Sequence, residues 1–199
     1  MRTDAEHAVR MAKKKAVQDR IVAERDGEKG LIIVHTGAGK GKTTAALGML
    51  VRAAGHGMTV GMIQFVKGAM TTGEAAIVAT LPGVEFRAMG DGFTWDTQDR
   101  SADIASARAA WAEVSRMILD PHYDLVIADE LNIVLRYDYL PLDEVLDVLA
   151  RKPAMTHVVI TGRNAPDGLI AAADLVTEMQ LVKHPFREQG IKAQRGVEF

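Results

Sequence analysis

Leu31-Ile32-Ile33-Val34-His35-Thr36-Gly37-Ala38-Gly39-Lys40-Gly41-Lys42-Thr43-Thr44-Ala45-Ala46-Leu47 is the stretch whose reading decides the fold. Its first four residues are apolar, mostly β-branched and too few for a helix, so they read as a core strand. Its last residues open an apolar-periodic segment that reads as a helix. Strand, glycine loop and helix in this order is the setting in which a loop binds phosphate. Glycines permit positive φ, so successive N–H groups can converge on phosphate oxygens, and the helix N-terminus adds the favourable end of its dipole. Gly37, Ala38, Gly39, Lys40, Gly41, Lys42, Thr43 and Thr44 are therefore the candidate ATP-binding residues, with Lys42 as a point charge. Thr43 is placed to ligate a Mg2+ ion bridging the phosphates, and Thr44 to add a second hydroxyl. The common phosphate-loop spacing puts its first glycine at position 36. Here that position is Thr36, and the glycine arrives one residue late at Gly37. A tighter loop holds phosphates in a different register, which weakens the ordinary role of cleaving the β–γ bond.

Working outward, the same grammar repeats. Short strands are expected at 59–65, 84–89, 125–128, 157–161 and 175–181. Helices are expected at 43–54, 74–79, 102–119, 142–150 and 167–173. Strands with continuous apolar composition alternating with helices imply a mostly parallel sheet covered on both faces. The expected fold is α/β, a phosphate-loop, RecA-like sheet flanked by helices. Residues 4–25 contain no Gly or Pro and read as a weakly apolar amphipathic helix outside this core. The chain thus divides into an N-terminal helix within 1–28 and a single nucleotide-binding domain over 29–199. The tail from Lys183 is polar and shows no clear period.

The length of 199 residues with 48% hydrophobic content suits one α/β domain. A formal net charge of -2 argues against holding long nucleic acid. There are no cysteines, which excludes thiolate nucleophiles and Cys-ligated metals, and the six histidines show no pair at metal-ligand spacing. The N-terminus has charges but no apolar run after them, so neither a secretory signal nor a membrane span is expected, and a cytoplasmic location is the default.

Tyr123-Asp124-Leu125-Val126-Ile127-Ala128-Asp129-Glu130 is an apolar strand ending in two carboxylates. That pattern holds Mg2+ opposite a phosphate loop, so Asp129 and Glu130 join Thr43 as metal candidates, although the pair taken alone reads as a helix N-cap after the strand. Adjacent side chains on a strand point to opposite faces, leaving one carboxylate for the metal and the other for water or substrate. No Asn-Lys-x-Asp element follows, which favours ATP over a guanine nucleotide. Arg52, on the helix after the loop, is a further candidate nucleotide contact, and Lys67 and Arg163 lie at strand ends; each of the three reads equally well as a solvated charge. The loop at residues 90–96 carries Phe93 and Trp95 at the carboxyl end of a strand, where ligands bind. These aromatics serve either a flat apolar ligand or a local hydrophobic plug.

Taken together, Thr36-Gly37-Ala38-Gly39-Lys40-Gly41-Lys42-Thr43-Thr44, Gln64-Phe65-Val66-Lys67-Gly68, Gly92-Phe93-Thr94-Trp95, Asp129-Glu130-Leu131, Tyr137-Asp138-Tyr139-Leu140-Pro141-Leu142 and Thr161-Gly162-Arg163 give a chain that resembles the ATP:corrinoid adenosyltransferases of the CobA/BtuR type. The likeness runs through Val182-Lys183-His184-Pro185-Phe186 and Gly190-Ile191-Lys192-Ala193-Gln194, and the late glycine belongs to the family pattern. Ala38 departs from it, since many relatives carry Asn there.

The resemblance implies transfer of the 5′-deoxyadenosyl group of ATP to Co(I) of a corrinoid, with release of triphosphate. It assigns Lys42 and Glu130 to catalysis, with Phe93 and Trp95 both catalytic and corrinoid-binding against the lower face of the corrin. It further implies a homodimer, and an electron-donating flavoprotein or other reductant as partner. The N-terminal helix is either a lid over the active site or a surface element that packs or dimerises. The rival readings are a conventional ATPase or kinase, in which Glu130 or Asp129 activates water or a hydroxyl, and a carrier that binds nucleotide and corrinoid without turnover.

Overall fold

A computed structural model of the protein describes residues 3–66, 73–90 and 99–197. The chain enters through α1 (Asp4–Ala23), whose start is fixed by a capping box: Thr3 accepts from the Glu6 N–H and the Glu6 carboxylate accepts from the Thr3 N–H. Its interior is rich in Ala, Lys and Arg, good helix formers that sustain it for 20 residues. None of these residues is buried, so α1 stands outside the core as expected.

The strands are β1 (Ile32–Thr36), β2 (Val60–Gln64), β3 (Val84–Ala88), β4 (Leu125–Asp129), β5 (His157–Thr161) and β6 (Leu175–Glu178). They form one sheet in the order β3-β2-β4-β5-β1-β6, and every pairing is parallel. The helices of the α/β body are α2 (Lys42–Gly55), α3 (Gly73–Val78), α4 (Arg100–Leu119), α5 (Leu131–Arg136), α6 (Leu142–Ala150) and α7 (Asp167–Ala172), with α8 (Pro185–Gln189) after β6.

Strands β1, β2 and β4 are buried at every position. The cause is a hydrophobic cluster on each face of the sheet. Ile33, Met62, Ile127 and Val159 pack with Ala46 and Leu50 of α2 on one side. On the other, Val34, Ile63, Val126 and Ile160 pack with Trp111 and Val114 of α4 and Leu149 of α6. Each such side chain contributes about 1.5–3 kcal/mol by leaving water.

Several boundaries move for local reasons. Helix α4 starts two residues before the expected 102 because Asp99 accepts from the Ser101 and Ala102 N–H groups and caps it there. Strand β6 stops at Glu178 rather than 181, because Met179 turns aside to receive the loop after β1. The polar tail contains α8, only five residues long, where His184 caps and Pro185 opens the helix; a segment that short shows no period.

The strand registers align one polar row at the carboxyl edge of the sheet. His35 pairs with Thr161 on one side and Thr177 on the other, and Gln64 pairs with Asp129. Continuing the Ala128–Ile160 register by one residue sets Asp129 opposite Thr161. By strand alternation the row lies on the α2 face, above Ile33, Val159, Ile127 and Met62.

His35 is 7% exposed, and among the described residues neither of its ring nitrogens has a hydrogen-bond partner. Burial pushes its pKa below the ordinary histidine value, so the ring is neutral in the fold. The unfolded chain then binds the proton first as pH falls through about 6.5, and stability drops there. Thermal melts from neutral to acidic pH should show this loss, and His35→Phe, of similar ring size, should flatten the slope by up to about 1.4 kcal/mol per pH unit. An unchanged slope in the variant would remove His35 as its source.

Candidate active site

The loop between β1 and α2 rests on the backbone just past β6. The Met179 N–H donates to Thr36 O at 2.9 Å, and the Gly39 N–H donates to Met179 O at 2.6 Å. Gly37 has φ +93°, and a Cβ there would fall 2.5 Å from Met179 O, so both conformation and space demand glycine. The late glycine now has a physical reason. Thr36 is still the last residue of a buried strand, where its Oγ1 accepts from the Ala165 N–H at 3.1 Å. The first left-handed position is therefore 37.

Lys42, the first residue of α2, is 6% exposed. Its Nζ donates to Gly37 O at 2.9 Å and to Gly39 O at 2.5 Å, so the ammonium spans the loop from within. Desolvation holds its pKa below the usual lysine value; Glu130 and Asp129 oppose that, while Arg163 and Lys40 reinforce it. Gly41 enters α2 with no side-chain cap, and the first-turn N–H groups lie at the positive end of a 14-residue helix. Ala38, Lys40 and Thr44 are exposed along the same loop.

Asp129, the last residue of β4, has no solvent exposure. Its Oδ1 accepts from Thr43 Oγ1 at 2.9 Å and from Thr161 Oγ1 at 2.6 Å, and its Oδ2 accepts from Gln64 Nε2 at 3.0 Å. Strand β5 lies between β1 and β4, so it is the first turn of α2 that reaches across it to the carboxylate. Thr43 spends its only proton on Asp129, which leaves its oxygen lone pairs available to a cation.

The two carboxylates separate differently from the expected strand alternation. Glu130 leaves the strand with φ +65° and becomes the N-cap position of α5, without a side-chain cap bond. Its N–H donates to Thr161 Oγ1 at 2.9 Å, so the Thr161 hydroxyl accepts from Glu130 while donating to Asp129. The Glu130 carboxylate packs toward Gly162, where a Cβ would come within 3.2 Å of Oε2 and 2.8 Å of Asn132 Cβ. Asn132, fully buried, donates from Nδ2 to Gly162 O at 2.9 Å.

The structure thus brings Lys42, Thr43, Asp129 and Glu130 into one group beside the loop. Arg52 does not join it: it sits in the last turn of α2, about 15 Å along the axis from Lys42. Phe93, Trp95 and Lys67 lie outside the described residues. Gln64, Thr161 and Asn132 are site residues that motif reading did not single out by role. Gln64 and Thr161 nevertheless carry a signal, since each is a polar residue ending a buried apolar strand at the ligand-binding edge. Among the described residues no three or more His, Cys, Asp or Glu side chains gather as a metal cage, and no helix is long and apolar enough to cross a membrane.

Residues 28–199 match the family described as ATP:corrinoid adenosyltransferase BtuR/CobO/CobP. The chain is 55% identical over 199 residues to a "Corrinoid adenosyltransferase" of Sinorhizobium sp, covering 98% of this chain and 92% of that protein. It is 54% identical to a "Corrinoid adenosyltransferase" of Pseudomonas aeruginosa, with 98% and 97% covered. It is 46% identical to "Corrinoid adenosyltransferase CobA" of Salmonella typhimurium, with 99% and 100% covered.

Thr161→Val preserves shape and removes both hydrogen bonds of the hydroxyl, whereas Thr161→Ser keeps them. Denaturant unfolding should find the Val variant less stable than the Ser variant by about 1–3 kcal/mol, the penalty for leaving a buried carboxylate and a buried N–H short of partners. Equal stabilities would show that the bridge contributes nothing.

Proposed function

The chain belongs to the ATP:corrinoid adenosyltransferase family, and from that premise we propose how its own residues carry the reaction. The protein transfers the 5′-deoxyadenosyl group of ATP to a corrinoid in cobalamin biosynthesis. The Co(I) lone pair attacks C5′, the C5′–O5′ bond breaks, and the electron pair leaves with triphosphate as the Co–C bond forms. The conventional ATPase or kinase is set aside.

The observation that carries the assignment is Lys42 seated inside the loop beside Thr43 on Asp129. Negative charge builds on the departing triphosphate, and fixed donors aimed at that charge act most strongly in a site closed to water. In this proposal Lys42 and the backbone N–H groups of Gly37, Ala38, Lys40 and Gly41 hold the triphosphate, with the Thr44 hydroxyl at the helix start; the Gly39 N–H is spent on Met179 O and the Thr43 proton on Asp129, so Gly39 shapes the loop and Thr43 serves the cation. No proton leaves either substrate in this substitution, so Glu130 is not required as a base. Its charge favours protonated Lys42 and complements the cation site.

A Mg2+ ion fits the donors present: Thr43 offers lone pairs, and Asp129 and Glu130 add hard carboxylate oxygens. Thr43, Asp129 and Glu130 would hold it, and bound there it would neutralise phosphate charge.

Phe93 and Trp95 are assigned to the lower face of the corrin, where displacing an axial base leaves a four-coordinate cobalt that is easier to reduce. Their support is their place in the family-like motif after β3. The same reading takes α1 as a lid over a domain spanning 29–199, supported by its having no buried residue. A homodimer, a flavoprotein or other electron donor, and a cytoplasmic location complete the proposal.

The test is anaerobic incubation with Mg2+, ATP and chemically prepared Co(I) corrinoid, followed in the visible spectrum. A light-sensitive alkylcobalt product is expected, and an unchanged corrinoid spectrum would overturn the proposal. In the same assay Lys42→Ala should lower the rate by about 100-fold or more; a rate near wild type would remove Lys42 from the mechanism. Trp95→Ala should fail when the corrinoid starts as Co(II) with a mild reductant, yet retain activity on preformed Co(I). A loss confined to ATP affinity would contradict the corrin-face role.

A further inference from the structure

The segment leaving β5 turns back over the carboxyl end of β1 and is pinned there by three hydrogen bonds. The Gly162 N–H donates to His35 O at 3.2 Å, and the Ala165 N–H donates to Thr36 Oγ1 at 3.1 Å. Asn132 Nδ2 donates to Gly162 O at 2.9 Å from the first turn of α5. Arg163 lies in the chain between these anchors, which fasten its neighbours Gly162 and Ala165 to His35 and Thr36, the two residues that precede the phosphate loop.

The backbone around it is specialised. Gly162 has φ +128° and Asn164 has φ +57°, so Arg163 is flanked on both sides by left-handed residues. A non-glycine residue held there costs on the order of 1 kcal/mol and persists only where its surroundings fix it. Gly162 is also closed to any side chain by Asn132. A merely solvated arginine needs none of this.

Arg163 itself is exposed, and its charge acts on Lys42 within the loop, as does that of Lys40. Among the described residues Arg163 has no carboxylate partner and no hydrogen bond that would occupy its guanidinium. The charges of Arg163 and Lys40 act on Lys42 against those of Glu130 and Asp129, so Arg163 adds positive potential at the phosphate loop. A guanidinium, with its planar fork of donors, suits two phosphate oxygens at once.

We propose that Arg163 is a further triphosphate-binding residue, which closes on the phosphates from the β5 side while Lys42 and the loop N–H groups hold them from the β1 side. It stabilises the same charge that accumulates when the C5′–O5′ bond breaks and the electron pair stays with triphosphate. The inference rests on the phosphate-loop reading above, and it adds a second strand end to the cradle.

Calorimetric titration with inorganic triphosphate and Mg2+ tests it without corrinoid or turnover. Arg163→Gln should weaken triphosphate affinity by about 10- to 100-fold, the effect of losing charge-assisted hydrogen bonds. Arg163→Lys should recover part of the loss, because it keeps the charge and not the fork. Arg151→Gln, at the opposite end of the sheet and paired with Asp147, should stay within about twofold of wild type as a screened surface charge does. Thermal melts of all three should match wild type, and a shared collapse of stability and affinity in both Arg163 variants would assign the residue to folding instead. Wild-type-like binding by Arg163→Gln would overturn this inference alone. Failure of the wild-type protein to bind triphosphate would overturn the phosphate-site reading and this inference with it.

Discussion

A carboxylate sealed from water must be met by donors, and Asp129 meets that demand from three elements at once. Thr43 comes from the start of α2, Thr161 from the end of β5 and Gln64 from the end of β2. An uncompensated buried charge costs several kcal/mol, so these contacts constrain the fold as much as they decorate it. They require β4 to lie between β2 and β5, and they require the first turn of α2 to lean across β5. The sheet order and the site are one solution to the same electrostatic problem.

The polar row below the phosphate loop gives up apolar burial at the sheet's carboxyl edge, and the two hydrophobic clusters beneath it offset that loss. The loop is shaped by a second constraint. Its seat on Met179 leaves no room for side chains at Gly37 or Gly39, so the loop geometry is set partly by the strand that ends beside it. By contrast α1 draws on caps and exposed pairs such as Lys15–Asp19, each contributing about 0.3–0.5 kcal/mol. A helix held that lightly can dock or release with little free-energy change.

The core strands and the phosphate loop were legible because buried parallel strands are short, apolar and β-branched, and because glycines mark the backbone that must bend. The acidic pair was legible as a pair, but not its geometry. The left-handed turn at Glu130 has no signature in a residue type that normally avoids it, and the short helix α5 that follows was foreshadowed only by the N-cap alternative for the pair. The bridging hydroxyl of Thr161 becomes visible only when register sets β5 beside β4. Beyond the late glycine, spacing left the reaction itself open. A phosphate loop and two carboxylates serve attack at phosphorus as readily as attack at C5′, and family membership separates the two. Phe93 and Trp95, on which the corrin end of the reading depends, lie outside the described residues.

The late glycine links these levels. Thr36 stays in the strand to hold Ala165, the loop therefore begins at 37, and Lys42 closes the tightened loop through the carbonyls of Gly37 and Gly39. On this account the site is built to retain a whole triphosphate rather than to divide one. The most direct measurement uses ATP carrying 18O at the bridging oxygen between C5′ and the α-phosphorus, turned over anaerobically with Co(I) corrinoid and analysed by mass spectrometry. The account predicts the label in free triphosphate, because the bond broken is C5′–O5′. Label retained in a nucleoside diphosphate, with orthophosphate released, would contradict it.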